Sequence, residues 1–134
     1  MRDGRNARVR LSDFKGRIVV VDLWASWCPT CQGAFPALDA MSREFRARGV
    51  EFIAVNLDEK RKDAETFLRG RSTDMLVTFD PRARVLKAFD APGIPALYII
   101  DRQGVIRQTV SGHGSDFAGE VRQHLVALLA EDAP

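Results

Sequence analysis

The sequence predicts a single α/β domain over residues 1–134, with a central mixed β-sheet and helices on both faces. Three observations carry this. Residues 18–24 (Ile-Val-Val-Val-Asp-Leu-Trp) and 50–57 are nearly continuous runs of strand formers, the pattern of strands covered on both sides. Between them Phe35, Leu38, Met41 and Phe45 recur at helical spacing, giving a crossover that makes those strands parallel. Later the chain turns on Asp101-Arg102-Gln103-Gly104, a hairpin signal that adds antiparallel pairing, and ends in an amphipathic helix.

The elements follow in order. Residues 8–12 (Arg-Val-Arg-Leu-Ser) alternate polar and apolar, which suggests a short N-terminal edge strand, and Lys15-Gly16-Arg17 is a turn. After the strand at 18–24, interrupted only by Asp22, a helix is expected from residue 28 to about residue 48, kinked at Pro36 and stopped by Gly49. The strand at 50–57 leads to a short helix at 63–71 with Ala64, Phe67 and Leu68 on its apolar side. An extended segment at 75–79 and a short helix at 82–89 come next. Ala91-Pro92-Gly93-Ile94-Pro95 breaks the chain before the hairpin strands at 96–100 and 105–110. The closing helix, 115–130, turns Phe117, Val121, Leu125, Leu128 and Leu129 inward.

Composition excludes several classes. At 46% hydrophobic and 28% charged, the 134 residues can build a core and are not those of a disordered chain. A net charge of +2 gives no footing for an electrostatic nucleic-acid binder, and no apolar run is long enough to span a bilayer. Two cysteines exclude a disulfide-dense scaffold and a four-cysteine zinc site. Both lie in Trp27-Cys28-Pro29-Thr30-Cys31, so any intramolecular disulfide joins Cys28 to Cys31 and closes a loop too small to staple a fold; its value is chemical. The first residues contain no signal-peptide core. A leader or membrane anchor ahead of Met1 is expected, with a cytoplasmic start at Met1 as the alternative.

The stretch Val21-Asp22-Leu23-Trp24-Ala25-Ser26-Trp27-Cys28-Pro29-Thr30-Cys31, followed by Phe35-Pro36 and by Gly93-Ile94-Pro95, resembles the thioredoxin superfamily. Leu11-Ser12-Asp13-Phe14-Lys15-Gly16 and the extra segment at 63–89 are similar to its bacterial extracytoplasmic branch, which includes proteins of cytochrome c maturation. The resemblance implies a thioredoxin-like fold with an extra N-terminal strand and an inserted helical segment. It also implies a thiol-disulfide oxidoreductase, expected as a reductant in the bacterial periplasm. Its only cofactor would be the redox-active disulfide Cys28–Cys31. Expected partners are protein thiols and disulfides, such as apocytochrome c, and a membrane electron donor; a monomer is expected, with no nucleic acid. The chain departs from the branch in two places. Ala34 stands where many members carry Glu, and Asp22 where many carry Asn. The Lys that thioredoxins place on the neighbouring strand is missing from 51–57, which leaves Asp22 without its expected cation.

These residue types suit disulfide exchange. Cys28 at a helix N-terminus meets unpaired N–H groups that favour the attacking thiolate, and Cys31, one turn on, resolves the mixed disulfide. Pro29 fits the first turn, and Pro29 and Thr30 tune the thiol pKa and potential. Asp22, buried in an apolar strand, is expected to have a raised pKa and to relay the Cys31 proton; a carboxylate solvated at the strand end is the plain alternative. Pro95 is expected to be cis, leaving the Ile94 backbone to pair with an extended client. Trp27 flanks the thiol and offers clients an apolar contact, whereas Trp24 belongs to the core. His113 and His124 do not match a metal-ligand spacing, so no metal is expected. Lys60-Arg61-Lys62 and Arg69-Gly70-Arg71 read as solvated faces. The rivals are a general cytoplasmic-type thioredoxin, a peroxide-reducing relative, an isomerase, and a redox-inert binding or metal-carrying module.

Overall fold

The computed structural model describes residues 1–131; the last three residues of the expected domain lie outside the described residues. Its strands are β1 (Arg2–Asp3), β2 (Ile18–Trp24), β3 (Val50–Asn56), β4 (Leu76–Phe79), β5 (Ala96–Ile100) and β6 (Ile106–Ser111). The helices are α1 (Pro29–Arg46), α2 (Arg61–Leu68), α3 (Arg84–Ala88) and α4 (Phe117–Glu131). The strands form one mixed sheet in the order β1-β4-β3-β2-β5-β6. β2, β3 and β4 run parallel, while β5, β6 and β1 are antiparallel to their neighbours.

The two central strands have the register that two-faced burial requires. β2 pairs with β3 from Ile18 opposite Val50 to Trp24 opposite Asn56, and with β5 from Val19 opposite Ile100 to Leu23 opposite Ala96. Every residue of β2 is buried. Side chains alternate between faces with a period of two. Ile18, Val20 and Trp24 therefore join the larger core with α1, α2 and α4, while Val19, Val21 and Leu23 join the smaller one with Leu11, Phe14, Val85 and Phe89. Asp22 belongs by parity to the larger face, beneath α1.

The N-terminal strand differs from expectation. Residues 8–12 do not form it: Arg8 makes a single bridge to Arg2, and Leu11–Phe14 is one 3₁₀ turn whose Leu11 and Phe14 close the smaller core. The extra strand is β1, whose Arg2 and Asp3 pair with Phe79 and Thr78. Arg61 helps to hold it. Its guanidinium donates to the carbonyls of Asp3 (3.2 Å) and Gly4 (2.9 Å) and lies over the Phe79 ring, so Arg61 is not a merely solvated charge.

Helix α1 begins at Pro29, where the missing N–H has no intrahelical partner to lose, and continues through Pro36. Beyond it, Gly49 adopts φ +82°, a left-handed conformation that glycine reaches without a Cβ clash, and its N–H caps the Arg46 carbonyl. Midway along α1, the Asp39 carboxylate accepts from Thr73 Oγ1 (2.7 Å), the Asp74 N–H (2.8 Å) and Arg43 (2.6 Å). Burial alone would raise its pKa, but these donors together hold it below the ordinary carboxylate value. α1 is thereby tied to the segment that leads into β4.

Candidate active site

Both expected catalytic cysteines lie at the start of α1, joined as a Cys28–Cys31 disulfide. Cys28 is the residue just ahead of the helix, with extended backbone (φ −99°, ψ 105°), and its Sγ accepts the Cys31 N–H at 3.2 Å. A sulfur in this position serves as the helix cap, and a thiolate there would receive the same N–H and the positive end of the helix dipole. Cys28 is 6% exposed and Cys31 2%. Pro29 and Thr30, between them, face solvent. Trp27 is 68% exposed beside Cys28, on the rim of a shallow depression lined also by Leu57, Glu59, Lys60 and Asp63.

The loop that delivers Cys28 is clamped from β3. The buried Asp58 carboxylate accepts the Ser26 N–H and hydroxyl, each at 2.9 Å, and the Asn56 side-chain amide at 2.7 Å. The Leu57 N–H donates to the Trp24 carbonyl, and the Gln32 side chain to the Ser26 carbonyl. Asn56, Asp58 and Ser26 form a positioning network that the sequence reading passed over. Its only local sign was an Asn-Leu-Asp run at the C-terminal end of a buried strand. Below the loop, Trp24 is fully buried against Phe35 (ring centroids 5.5 Å apart) and Phe67 (5.2 Å), as expected of a core aromatic.

Asp22 is not solvated at a strand end; it is buried, between Ala54 of β3 and Leu97 of β5. Burial drives its pKa up, and the hydrogen bond and charge of His113 pull it back only in part. His113 is the partner that the sequence reading missed. Its Nε2 lies 3.1 Å from Asp22 Oδ1, and its side chain is 1% exposed. The cation expected from β3 is replaced by an imidazole from the β6–α4 loop, 91 residues along the chain. Nothing near His113 in sequence signals this; the one clue was the unpartnered Asp22. His124, by contrast, sits on α4 at 3.8 Å from Glu120, and among the described residues no group of three His, Cys, Asp or Glu could hold a metal.

The Ile94–Pro95 peptide is cis, and Ile94 and Pro95 are half-buried at the entrance to β5. The Gly112 N–H donates to the Pro95 carbonyl at 3.3 Å, which joins the loop carrying His113 to the loop carrying Pro95. β2, the start of α1, the start of β5 and the β6–α4 loop thus converge at one end of the sheet. Ala34, where an acid was absent from the sequence, is a buried core residue.

Residues 1–109 match the model of the AhpC/TSA family. The chain is 30% identical over 112 residues to the thiol-disulfide oxidoreductase ResA of Bacillus subtilis (strain 168), an alignment covering 84% of this chain and 63% of ResA. It therefore spans less than two-thirds of the length of that relative. A solved structure described as a candidate thiol:disulfide interchange protein DsbE from Chlorobium tepidum superposes with a TM-score of 0.91 at 32% identity. That superposition covers 96% of this chain and 91% of the other. The exposed lipoprotein thioredoxin of Streptococcus pneumoniae superposes with a TM-score of 0.81 at 25% identity, over 96% and 97% of the two chains.

Proposed function

Because the chain belongs to the AhpC/TSA family and has the thioredoxin-like fold, we propose that it is a thiol-disulfide oxidoreductase acting on other proteins through Cys28 and Cys31. The observation that carries this reading is the Cys28–Cys31 disulfide at the N-terminus of α1, with Cys28 Sγ as the helix cap. In the reducing direction, the Cys28 thiolate attacks a client disulfide. A Cys28–client bond forms, and one client sulfur leaves as a thiolate that takes a proton from solvent. Cys31 then gives its proton to Asp22 and attacks Cys28 Sγ. The second client sulfur leaves as a thiolate, and the enzyme disulfide reforms. Two electrons pass from the enzyme dithiol to the client.

The likeness to ResA and to the DsbE structure supports an extracytoplasmic reductant whose client is a protein disulfide such as that of an apocytochrome c, the Cys28–Cys31 disulfide being reduced in turn by a membrane donor. Pro29 and Thr30 tune the couple, and the backbone of Ile94 beside Pro95 pairs with the extended client while Trp27 covers it. The test is acceleration of insulin reduction in dithiothreitol, with a redox titration read from tryptophan fluorescence. No acceleration and no exchange in glutathione buffers would sink the reading. Consumption of hydroperoxide in place of protein disulfide would move the chain to the peroxide-reducing class.

Two variants probe the parts of the site. Trp27→Ala removes an exposed aromatic that touches the client and not the sulfurs. It should raise KM for a protein client roughly tenfold to thirtyfold and leave the dithiothreitol equilibrium unchanged. Equal KM values would show that the indole is no client contact. Asp22→Asn should slow resolution about 10²-fold at pH 7 while stabilising the fold. The folded-state pKa of Asp22 is raised above the ordinary 3.8, so the unfolded chain ionises first as pH rises. The native protein therefore loses stability between that value and its own higher one. The Asn variant lacks this loss and should be more stable than the parent at neutral pH, with the advantage shrinking towards pH 4. Urea melts at pH 4 and pH 7 check it; an equal difference from the parent at both values would contradict the assignment.

A further inference from the structure

A buried imidazole that no part of the exchange scheme uses sits against the carboxylate that it does use. Four observations bear on what it does there. The Nε2 of His113 and Oδ1 of Asp22 are 3.1 Å apart with both side chains buried, so one proton lies between them. Nδ1 of His113 is buried with no hydrogen-bond partner among the described residues. The ring stacks on Phe117 with centroids 4.7 Å apart and planes 7° from parallel, which fixes its orientation. The residue holds φ +37° between Gly112 and Gly114, a left-handed conformation that a non-glycine residue adopts at a cost.

The orphaned Nδ1 decides the tautomer. A buried N–H without an acceptor is rarer and costlier than a bare acceptor nitrogen. The arrangement that leaves no N–H unpaired has the imidazole protonated at Nε2 and donating to Oδ1 of Asp22. Oδ1 is then occupied, and among the described residues His113 is the one donor recorded on Asp22, which leaves Oδ2 as the remaining acceptor. No other charged side chain acts on Asp22 among the described residues. β3 and β5 place Ala54 and Leu97 beside it, α1 contributes Cys31 to the same core face, and α4 contributes Phe117. Asp39 and Asp58 are turned to their own donors, and His124 to Glu120.

We propose that His113 is the positioning residue for proton transfer from Cys31: its Nε2–H holds Oδ1 of Asp22 and keeps that carboxylate ionised and oriented at neutral pH, with Oδ2 left to take the thiol proton. The proposal rests on the exchange reading above. A donor to the ionised form favours that form, so without it the desolvated carboxyl stays protonated to higher pH and has no room for the Cys31 proton.

The experiment mixes the reduced full chain with 5,5′-dithiobis(2-nitrobenzoate) in a stopped-flow instrument. Attack by Cys28 releases the first thionitrobenzoate, and attack by Cys31 the second. His113→Phe keeps an aromatic ring against Phe117 but offers no donor. It should leave the first phase unchanged, slow the second about tenfold or more at pH 7, and move its pH midpoint up by about one to two units. His113→Gln, which can donate from a similar reach, should restore much of both. A second phase with the parent's pH profile in His113→Phe overturns the proposal. The unmodified protein supplies a test that needs no variant: the ¹⁵N spectrum of His113 should report neutral imidazole protonated at Nε2. Protonation at Nδ1, or on both nitrogens at pH 7, overturns it. A parent protein with no first phase would refute the exchange reading instead, and the imidazole spectrum would still judge the Asp22–His113 link.

Discussion

Serine in place of Cys31 is expected to arrest turnover after a single bond exchange. Cys28 keeps its place ahead of α1, and the residue 31 N–H that its sulfur accepts belongs to the backbone, so the first attack survives the substitution. What is lost is the only thiol able to release the client, since the chain has no third cysteine. A hydroxyl at that site is too weak an acid to supply an alkoxide. The mixed disulfide should therefore accumulate, visible as a shifted band on a non-reducing gel that dithiothreitol removes, while insulin reduction falls to background. Cys28→Ser should be equally inactive and give no adduct. An adduct that forms on Cys28→Ser and not on Cys31→Ser would reverse the two roles.

The largest stability loss is expected from Trp24→Ala. Trp24 is fully buried and is the meeting point of Phe35 from α1 and Phe67 from α2, whose own rings are 5.6 Å apart. Removing the indole takes away its buried area and opens a cavity that three backbone elements cannot close, a cost of about 3–5 kcal/mol. Trp24→Phe separates ring packing from polarity. The indole Nε1–H is buried without a partner among the described residues, so phenylalanine discards an unmet donor as well as volume. Its loss should be under about 1.5 kcal/mol. Urea denaturation of both variants tests this, and a Phe variant as unstable as the Ala variant would mean that ring size, not aromatic packing, governs the site.

What the amino-acid string disclosed follows from how local each signal is. β2 and β3 were legible because burial on both faces leaves a continuous apolar run, and α1 because Phe35, Leu38, Met41 and Phe45 all enter one core. The cysteines were legible because their chemistry needs one turn of helix between them. β1 was not, since two residues cannot carry a period; it exists because Phe79 and Thr78 offer an edge and Arg61 anchors the carbonyls beside it. The alternation at residues 8–12 misled because Val9, Leu11 and Phe14 reach the smaller core from a bridge and a 3₁₀ turn, not a strand. His113 was illegible for a different reason. Its meaning lies wholly in a contact with a residue on another strand, and a histidine between glycines has no local signature of burial. The absence of a lysine near Asp22 posed the question that only the three-dimensional contact answers.

The relative depth of Trp27 and Cys28 has a consequence for which molecules can be served. Cys28 sits recessed at 6% exposure beside a tryptophan that stands proud at 68%. A cystine sunk in a finished globule cannot be lowered into that recess without collision. One carried on a pliant, unfinished stretch of chain can be threaded in. On the function proposed above, shape would select clients before potential does.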